Sequence, residues 1–242
     1  MAATGNKQQV LTSALTHLKK KYGEHSEKDE SRTVLEEMLY AMCREGSTRE
    51  FADPAFDRLR KNYFDWNEVR VSSEEEIAET LDGLPDAMGR AQRIIAILQQ
   101  IFEESFSFDL ESYAKLGVKA AAKRMSQHPG ASDFVVAWVT QKAFDGHAIP
   151  LDPPTLRVLH RLQIIGEGEN DIESIRGTIE HLVPKAKGAN FVELFSQLAH
   201  EICVEVEPHC SSCPLIKECP TGQARLSEAK ASSGEGKKVK PR

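Results

Sequence analysis

Four of the five cysteines fall in one stretch, Cys203-Val-Glu-Val-Glu-Pro-His-Cys210-Ser-Ser-Cys213-Pro-Leu-Ile-Lys-Glu-Cys219, with the spacing C-x6-C-x2-C-x5-C. Thiolates gathered this closely suit zinc or an iron–sulfur cluster, because both prefer soft sulfur donors. Zinc sites usually pair two C-x2-C knuckles or add histidines. Here only Cys210 and Cys213 form a knuckle, although His209 could substitute as a ligand. Disulfides need an oxidising compartment, and the first residues, MAATGNKQQV, lack the apolar segment of a secretory leader. A cytoplasmic location is therefore expected. Cys43 stands apart in an apolar helical pattern and is expected in the core.

The chain has 242 residues, enough for one large domain or two small ones. No apolar run approaches the roughly 20 residues of a membrane span. The net charge of −6 does not itself point to nucleic acid. Phosphate binding depends on local Lys and Arg patches, so the total does not exclude it.

Helical spacing recurs throughout. Val10, Leu11, Ala14, Leu15 and Leu18 form a first stripe ending near Tyr22-Gly23, and Glu24 to Ser31 reads as a linker. A second stripe runs from Val34 to Met42 and closes at Gly46. Asp53-Pro54 reads as an N-cap and first helical residue, Ser73-x-x-Glu76 as a capping box, and Pro85-Asp86 as the start of a longer helix. Further helices are expected over 109–117, 118–127, 132–144, 152–162, 171–183 and 188–203. The best strand candidate, Val135 to Val139, is flanked by helical spacing, so the fold class is all-α. Beyond Thr221 the composition of Ser, Gly and Lys predicts a disordered basic tail.

Between two of these helices lies Met125-x-x-His128-Pro129-Gly130-Ala131-Ser132. A tight Pro-Gly turn at a helix N-terminus can present backbone N–H groups to a phosphate. Lys119, Lys123 and Arg124 lie just upstream and would add cationic contacts. A plain helical hairpin with a solvated basic face is the alternative.

The cysteine spacing resembles the 4Fe–4S loop of the endonuclease III family, members of the helix-hairpin-helix DNA glycosylase superfamily. That family's hairpin reads Leu-Pro-Gly-Val-Gly, then a polar residue and a lysine. A Val-Asp motif follows some twenty residues later and opens a helix with the pattern Arg-Val-x-x-Arg-Leu. Pro129-Gly130 resembles the hairpin, Leu151-Asp152 the second motif, and Arg157-Val158 with Arg161-Leu162 the helix. The resemblance runs in order over roughly residues 30 to 220. It implies a two-domain helix-hairpin-helix glycosylase fold: a six-helix barrel domain over 24–146, with the hairpin at 118–144, and a cluster domain of 1–23 and 147–222, leaving 223–242 as the tail. A DNA groove and base pocket would lie between the domains. It also implies a 4Fe–4S cluster on Cys203, Cys210, Cys213 and Cys219, and double-stranded DNA as partner. The protein would be a monomer without a membrane, in the cytoplasm or at the nucleoid.

The pattern breaks at functional positions. The family's nucleophilic lysine aligns with Phe134, which has no amine to form a Schiff base. Its second hairpin glycine aligns with Ser132, and the glutamine that fills the gap left by an extruded base aligns with Met42. The cysteine loop carries Glu205 and Glu207, which should repel phosphate. Asp152 keeps the family's carboxylate, although Asp before Pro153 is also a good helix N-cap. Glu37 falls where the adenine-glycosylase branch carries its catalytic glutamate, the alternative being a solvated helix face. Three functions follow: a monofunctional DNA glycosylase using Asp152 with Glu37; a catalytically silent DNA-binding protein with Phe134 plugging or stacking in the pocket; and a glycosylase/lyase using a displaced lysine such as Lys119 or Lys123.

Overall fold

The computed structural model describes residues 2–24, 31–166 and 168–234. In chain order the helices are α1 (Ala2–Tyr22), α2 (Val34–Arg44), α3 (Arg49–Asn62), α4 (Trp66–Val71), α5 (Glu74–Thr80) and α6 (Ala87–Ser105), followed by a 3-10 helix, Glu111–Leu116. Then come α7 (Val118–Met125), α8 (Asp133–Lys142), α9 (Pro153–Arg161), α10 (Ile172–Leu182) and α11 (Lys185–Glu201). A 3-10 turn, Cys210–Ser212, precedes α12 (Pro220–Gly234). No strand occurs among the described residues, in line with the all-α expectation. Val135 to Val139 is the middle of α8. No described helix is long and apolar enough to cross a membrane. The linker expected over Glu24 to Ser31 falls largely on residues outside those described.

The chain divides into two compact units. The larger comprises residues 25–152 and 172–193. Its core is built on α2, which starts on a capping box: Thr33 Oγ1 accepts from Glu36 N–H, and the Glu36 carboxylate accepts from Thr33 N–H. Leu35, Met38, Leu39 and Met42 are fully buried, and α2 packs against α8 and α3. Each such side chain contributes about 1.5–3 kcal/mol by leaving water. Cys43 lies in this core, and burial pushes its thiol up to about 12.

The start of α3 departs from the sequence reading. The helix begins at Arg49, and Pro54 lies inside it instead of at its first position. Ala52, Ala55, Phe56 and Leu59 form one fully buried face across the proline, so packing overrides the local stop signal. Asp53 accepts from Tyr40 Oη and pairs with Arg49 at 3.6 Å instead of capping.

The smaller unit comprises residues 1–24, 153–171 and 194–242. Leu11, Ala14 and Leu18 form the buried stripe of α1, and Ser13 Oγ donates to Glu218 at 2.7 Å. The expected disordered tail is corrected here: residues 220–234 are helical, and 235–242 lie outside the described residues. The first turn of α12 is tied to the cysteine loop, because Gln223 Nε2 donates to the carbonyls of Ile216 and Lys217. Composition alone missed that anchor.

Candidate functional site

Helices α7 and α8 form the two arms of a hairpin whose turn is Ser126–Ser132. Gly130 holds φ at +76°, a left-handed conformation that suits glycine. A Cβ there would meet Cβ and Cγ of Arg93 at 3.0 Å, so close approach requires glycine as well. The reason for that approach is a fork: Arg93 Nε and Nη2 both donate to the Gly130 carbonyl, at 2.9 and 2.8 Å. Ser132 has φ −68° and ψ 165°, so no second glycine is needed, and its Oγ caps α8 by accepting from Val135 N–H. Pro129, Gly130, Lys119 and Lys123 are exposed, while Ala121 and Met125 face the core. Asp133 in the first turn of α8 pairs with Arg176 at 3.3 Å, so this helix N-terminus already carries a carboxylate.

Arg124 is engaged within the fold. Its Nη2 pairs with Glu104 at 2.6 Å and its Nε donates to Tyr113 Oη at 3.3 Å. Tyr113 Oη lies 3.1 Å from His128 Nε2, and His128 Nδ1 lies 3.1 Å from Gln100 Oε1. Gln100 Nε2 donates in turn to Glu104 Oε1 at 2.8 Å, which closes a ring of five side chains. His128 is 4% exposed and stacks on Tyr113. Burial lowers its pKa, Glu104 opposes that shift and Arg124 adds to it.

The two candidate carboxylates are both buried, and each has partners of its own. Glu37 is 8% exposed, which rules out the solvated-face role; its Oε2 accepts from Trp138 Nε1 at 2.8 Å and its Oε1 lies 3.8 Å from Arg32. Asp152 is 2% exposed, and its Oδ2 accepts from the backbone N–H of Gly46 at 3.0 Å. Glu37 sits in the first turn of α2 and Gly46 just past its last, roughly 12–14 Å apart along the axis. Helix side chains lean toward the N-terminus, which draws Glu37 farther away. Two carboxyl groups that share one glycosidic bond stand about 5–9.5 Å apart.

Phe134 is 3% exposed and stacks on Trp138, with ring centroids 5.9 Å apart. Trp138 also meets Tyr40 at 5.6 Å, so the position aligned with the family lysine is part of a buried aromatic cluster. Met42 is fully buried inside α2 and cannot project to fill a gap in a duplex. Sequence reading missed the residues that join hairpin and carboxylate. Glu45 pairs with Arg93 at 2.8 Å, and the next residue, Gly46, holds Asp152. Only Gly46 carried a signal, as the stop of α2.

The cysteine loop is fastened by two arginines of α9. Arg157 donates to the carbonyls of Ala199 at 2.9 Å and Cys203 at 3.0 Å. Arg161 donates to the carbonyls of Cys203, Val204 and Glu205, and its Nη1 lies 3.4 Å from Cys203 Sγ. Gly222 N–H donates to Cys219 Sγ at 3.3 Å. Cys203, Cys210, Cys213 and Cys219 line one cavity of about 30 Å³ together with Arg161, Ile202 and Ile216, whereas His209 is exposed and outside the lining. Burial, with the other cysteines as a further cause, pushes Cys213 up to about 11 and raises Cys219. No three His, Cys, Asp or Glu side chains among the described residues are drawn together closely enough to hold one metal ion.

No protein-family profile matches the sequence. No curated protein matches it either. Solved structures do match. A non-covalent endonuclease III–DNA complex aligns with a TM-score of 0.69 at 18% identity, over 91% of this chain and 98% of that one. A trapped endonuclease III–DNA covalent intermediate gives 0.68 at 19% identity, over 90% and 98%. A thermostable thymine-DNA glycosylase gives 0.66 at 18% identity, over 93% and 100%. The chain has the helix-hairpin-helix DNA glycosylase fold of these proteins.

Proposed function

We propose that this protein binds double-stranded DNA through the α7–α8 hairpin and acts in base excision repair as a monofunctional DNA N-glycosylase. The observation that supports the reading is the link between the Gly130 turn, which would seat a phosphate, and the turn that holds the Asp152 carboxylate. An extruded nucleotide would present its glycosidic bond to Asp152. The C1′–N bond would break with its electron pair leaving on the base, which takes up a proton from solvent. The carboxylate would stabilise the positive charge developing on the sugar and accept a proton from the attacking water. Phe134 supplies no amine, so no imine forms and the strand stays intact. Glu37 takes a different part in this reading: it anchors Trp138 beside α2.

The four thiols fit a 4Fe–4S cluster, since such a cluster binds each cysteine through a different iron and its ligands ring a void. Cys203, Cys210, Cys213 and Cys219 would hold it, with N–H donors from Arg161 and Gly222 directed at two of the sulfurs. When bound, the cluster supplies a covalent cross-link of the loop and a one-electron redox centre.

The burial of Asp152 favours a second reading, in which the scaffold binds DNA and leaves the base in place. A panel of duplexes with oxidised, alkylated, deaminated and mismatched bases separates the two. The first reading expects release of a free base and no borohydride-trapped adduct. Binding without release across the panel would establish the second, and an adduct mapped to Lys119 or Lys123 would overturn both.

A further inference from the structure

Helix α6 sends two arginines, one turn apart, to the end of α2. Arg90 is buried and donates to the carbonyls of Pro85, Met42 and Glu45. The bonds to Met42 and Glu45 cap the end of α2. Arg93 does something different, because its two partners belong to different parts of the site. Nε and Nη2 donate to the Gly130 carbonyl of the hairpin, and Nη1 lies 2.8 Å from Glu45 Oε2 as an ion pair outside hydrogen-bond geometry. Glu45 is bonded to Gly46, whose N–H holds Asp152. From hairpin to carboxylate the path is therefore Gly130 carbonyl, Arg93 guanidinium, Glu45 carboxylate, one peptide unit and Asp152. The guanidinium therefore holds the hairpin by two directed hydrogen bonds and Glu45 by charge at close range. Gly130 lets the chain come close enough for that fork.

We infer that Arg93 is a positioning residue, which sets the hairpin at a fixed distance from the turn that holds Asp152. A phosphate seated on the hairpin would then bring the neighbouring nucleotide into register with the carboxylate. This deepens the proposed function and rests on it for the role of DNA. The mechanical coupling of the two turns stands without it.

The informative variant is Arg93→Lys, which keeps the positive charge and loses the fork. Glu45→Gln serves as a second variant that leaves Arg93 on Gly130 and cuts the other link. Amide hydrogen exchange is read first, on free protein. In Arg93→Lys, residues 45–47 and 128–132 should both exchange faster, and in Glu45→Gln the loss should spread from 45–47 to the hairpin. If each variant loosens only its own segment, the coupling is wrong whatever the protein does to DNA. The second readout is binding of a 20-base-pair duplex carrying a tetrahydrofuran abasic analogue, with its salt dependence. Arg93→Lys should keep affinity within about 2-fold and the same salt slope, because the charge is retained. Single-turnover base release should fall about 10- to 100-fold, the effect of a small misplacement of a reacting group. Unchanged release with coupled exchange would overturn the positioning role. Wild-type protein that releases no base, yet shows coupled exchange, would instead refute the glycosylase reading and leave the coupling standing.

Discussion

The hairpin turn and the cysteine loop are both irregular segments held by arginines, but they are held to different degrees of completion. At the hairpin the protein meets its own needs. Arg93 satisfies the Gly130 carbonyl, Ser132 caps α8, and His128 has a partner on each ring nitrogen. At the cysteine loop, Arg157 and Arg161 satisfy the backbone carbonyls, yet four thiols face one cavity, where burial first and the neighbouring cysteines next raise the pKa of Cys213 and Cys219. Four thiolates cannot share such a space without a cation between them. The hairpin should therefore stand on its own, whereas the loop should depend on what fills it.

The largest expected effect tests that dependence. Changing Cys203, Cys210, Cys213 or Cys219 to Ala should abolish iron and sulfide in anaerobically purified protein and remove exchange protection over 203–219. Protection over 126–132 should persist, and Cys43→Ala should keep the full iron content. Stoichiometric zinc without iron, in protein made under iron-replete conditions, would overturn the cluster assignment.

Next comes the carboxylate. Asp152→Asn still offers an oxygen to Gly46 N–H but carries no charge and takes no proton. Base release should fall by roughly 10²–10⁴-fold, the worth of a placed acid–base group. Equal rates for wild type and Asp152→Asn on one good substrate would remove Asp152 from the chemistry.

A smaller effect belongs to the hairpin alone. Gly130→Ala forces a side chain into a left-handed conformation and against Arg93, at a cost of about 1–3 kcal/mol. Chemical denaturation measures it. Ser132→Gly should cost less than Gly130→Ala, since Ser132 already sits at an ordinary φ. Equal costs would mean that Arg93 does not approach as closely as described.

The smallest effect is a pH dependence. His128 has its pKa lowered in the folded protein, so the unfolded chain binds the extra proton more readily. Its contribution is complete above the ordinary histidine range and is lost as pH falls through that range toward the folded value. Thermal melts from pH 7.5 to 5.5 should show a decline in Tm that is shallower in His128→Asn. A decline of the same slope in both proteins would assign it to other groups.

The parts legible in the sequence were those made by neighbours along the chain. Pro129-Gly130 marked the hairpin, Ser73 with Glu76 marked a cap, and Gly117 marked the break before α7, because each acts within a few residues. The site's connections were not legible in this way. Arg93 and Gly130 are 37 positions apart, and Gly46 and Asp152 are 106 apart. No local pattern encodes such pairs. Two local signals also misled, for the same reason. Pro54 gave way to the buried face of α3, and the polar residues 222–234 are helical from an anchor on the cysteine loop.

The five-membered ring beside the hairpin has one more consequence. Arginine can only give hydrogen bonds and a carboxylate can only receive them, so Arg124 and Glu104 impose a sense of travel on everything between them. Tyr113 must receive from Arg124 and give to His128, which must give to Gln100, which must give to Glu104. The ring thereby selects one tautomer of His128 and one orientation of the Gln100 amide. Each middle member works as a relay, needing one hand to take and one to pass on. Tyr113→Phe removes a relay and strands Nε2 of a buried histidine. Gln100→Glu is nearly the same shape but has nothing to pass on, and it sets two carboxylates face to face. The ring tolerates substitution by polarity of direction more strictly than by size.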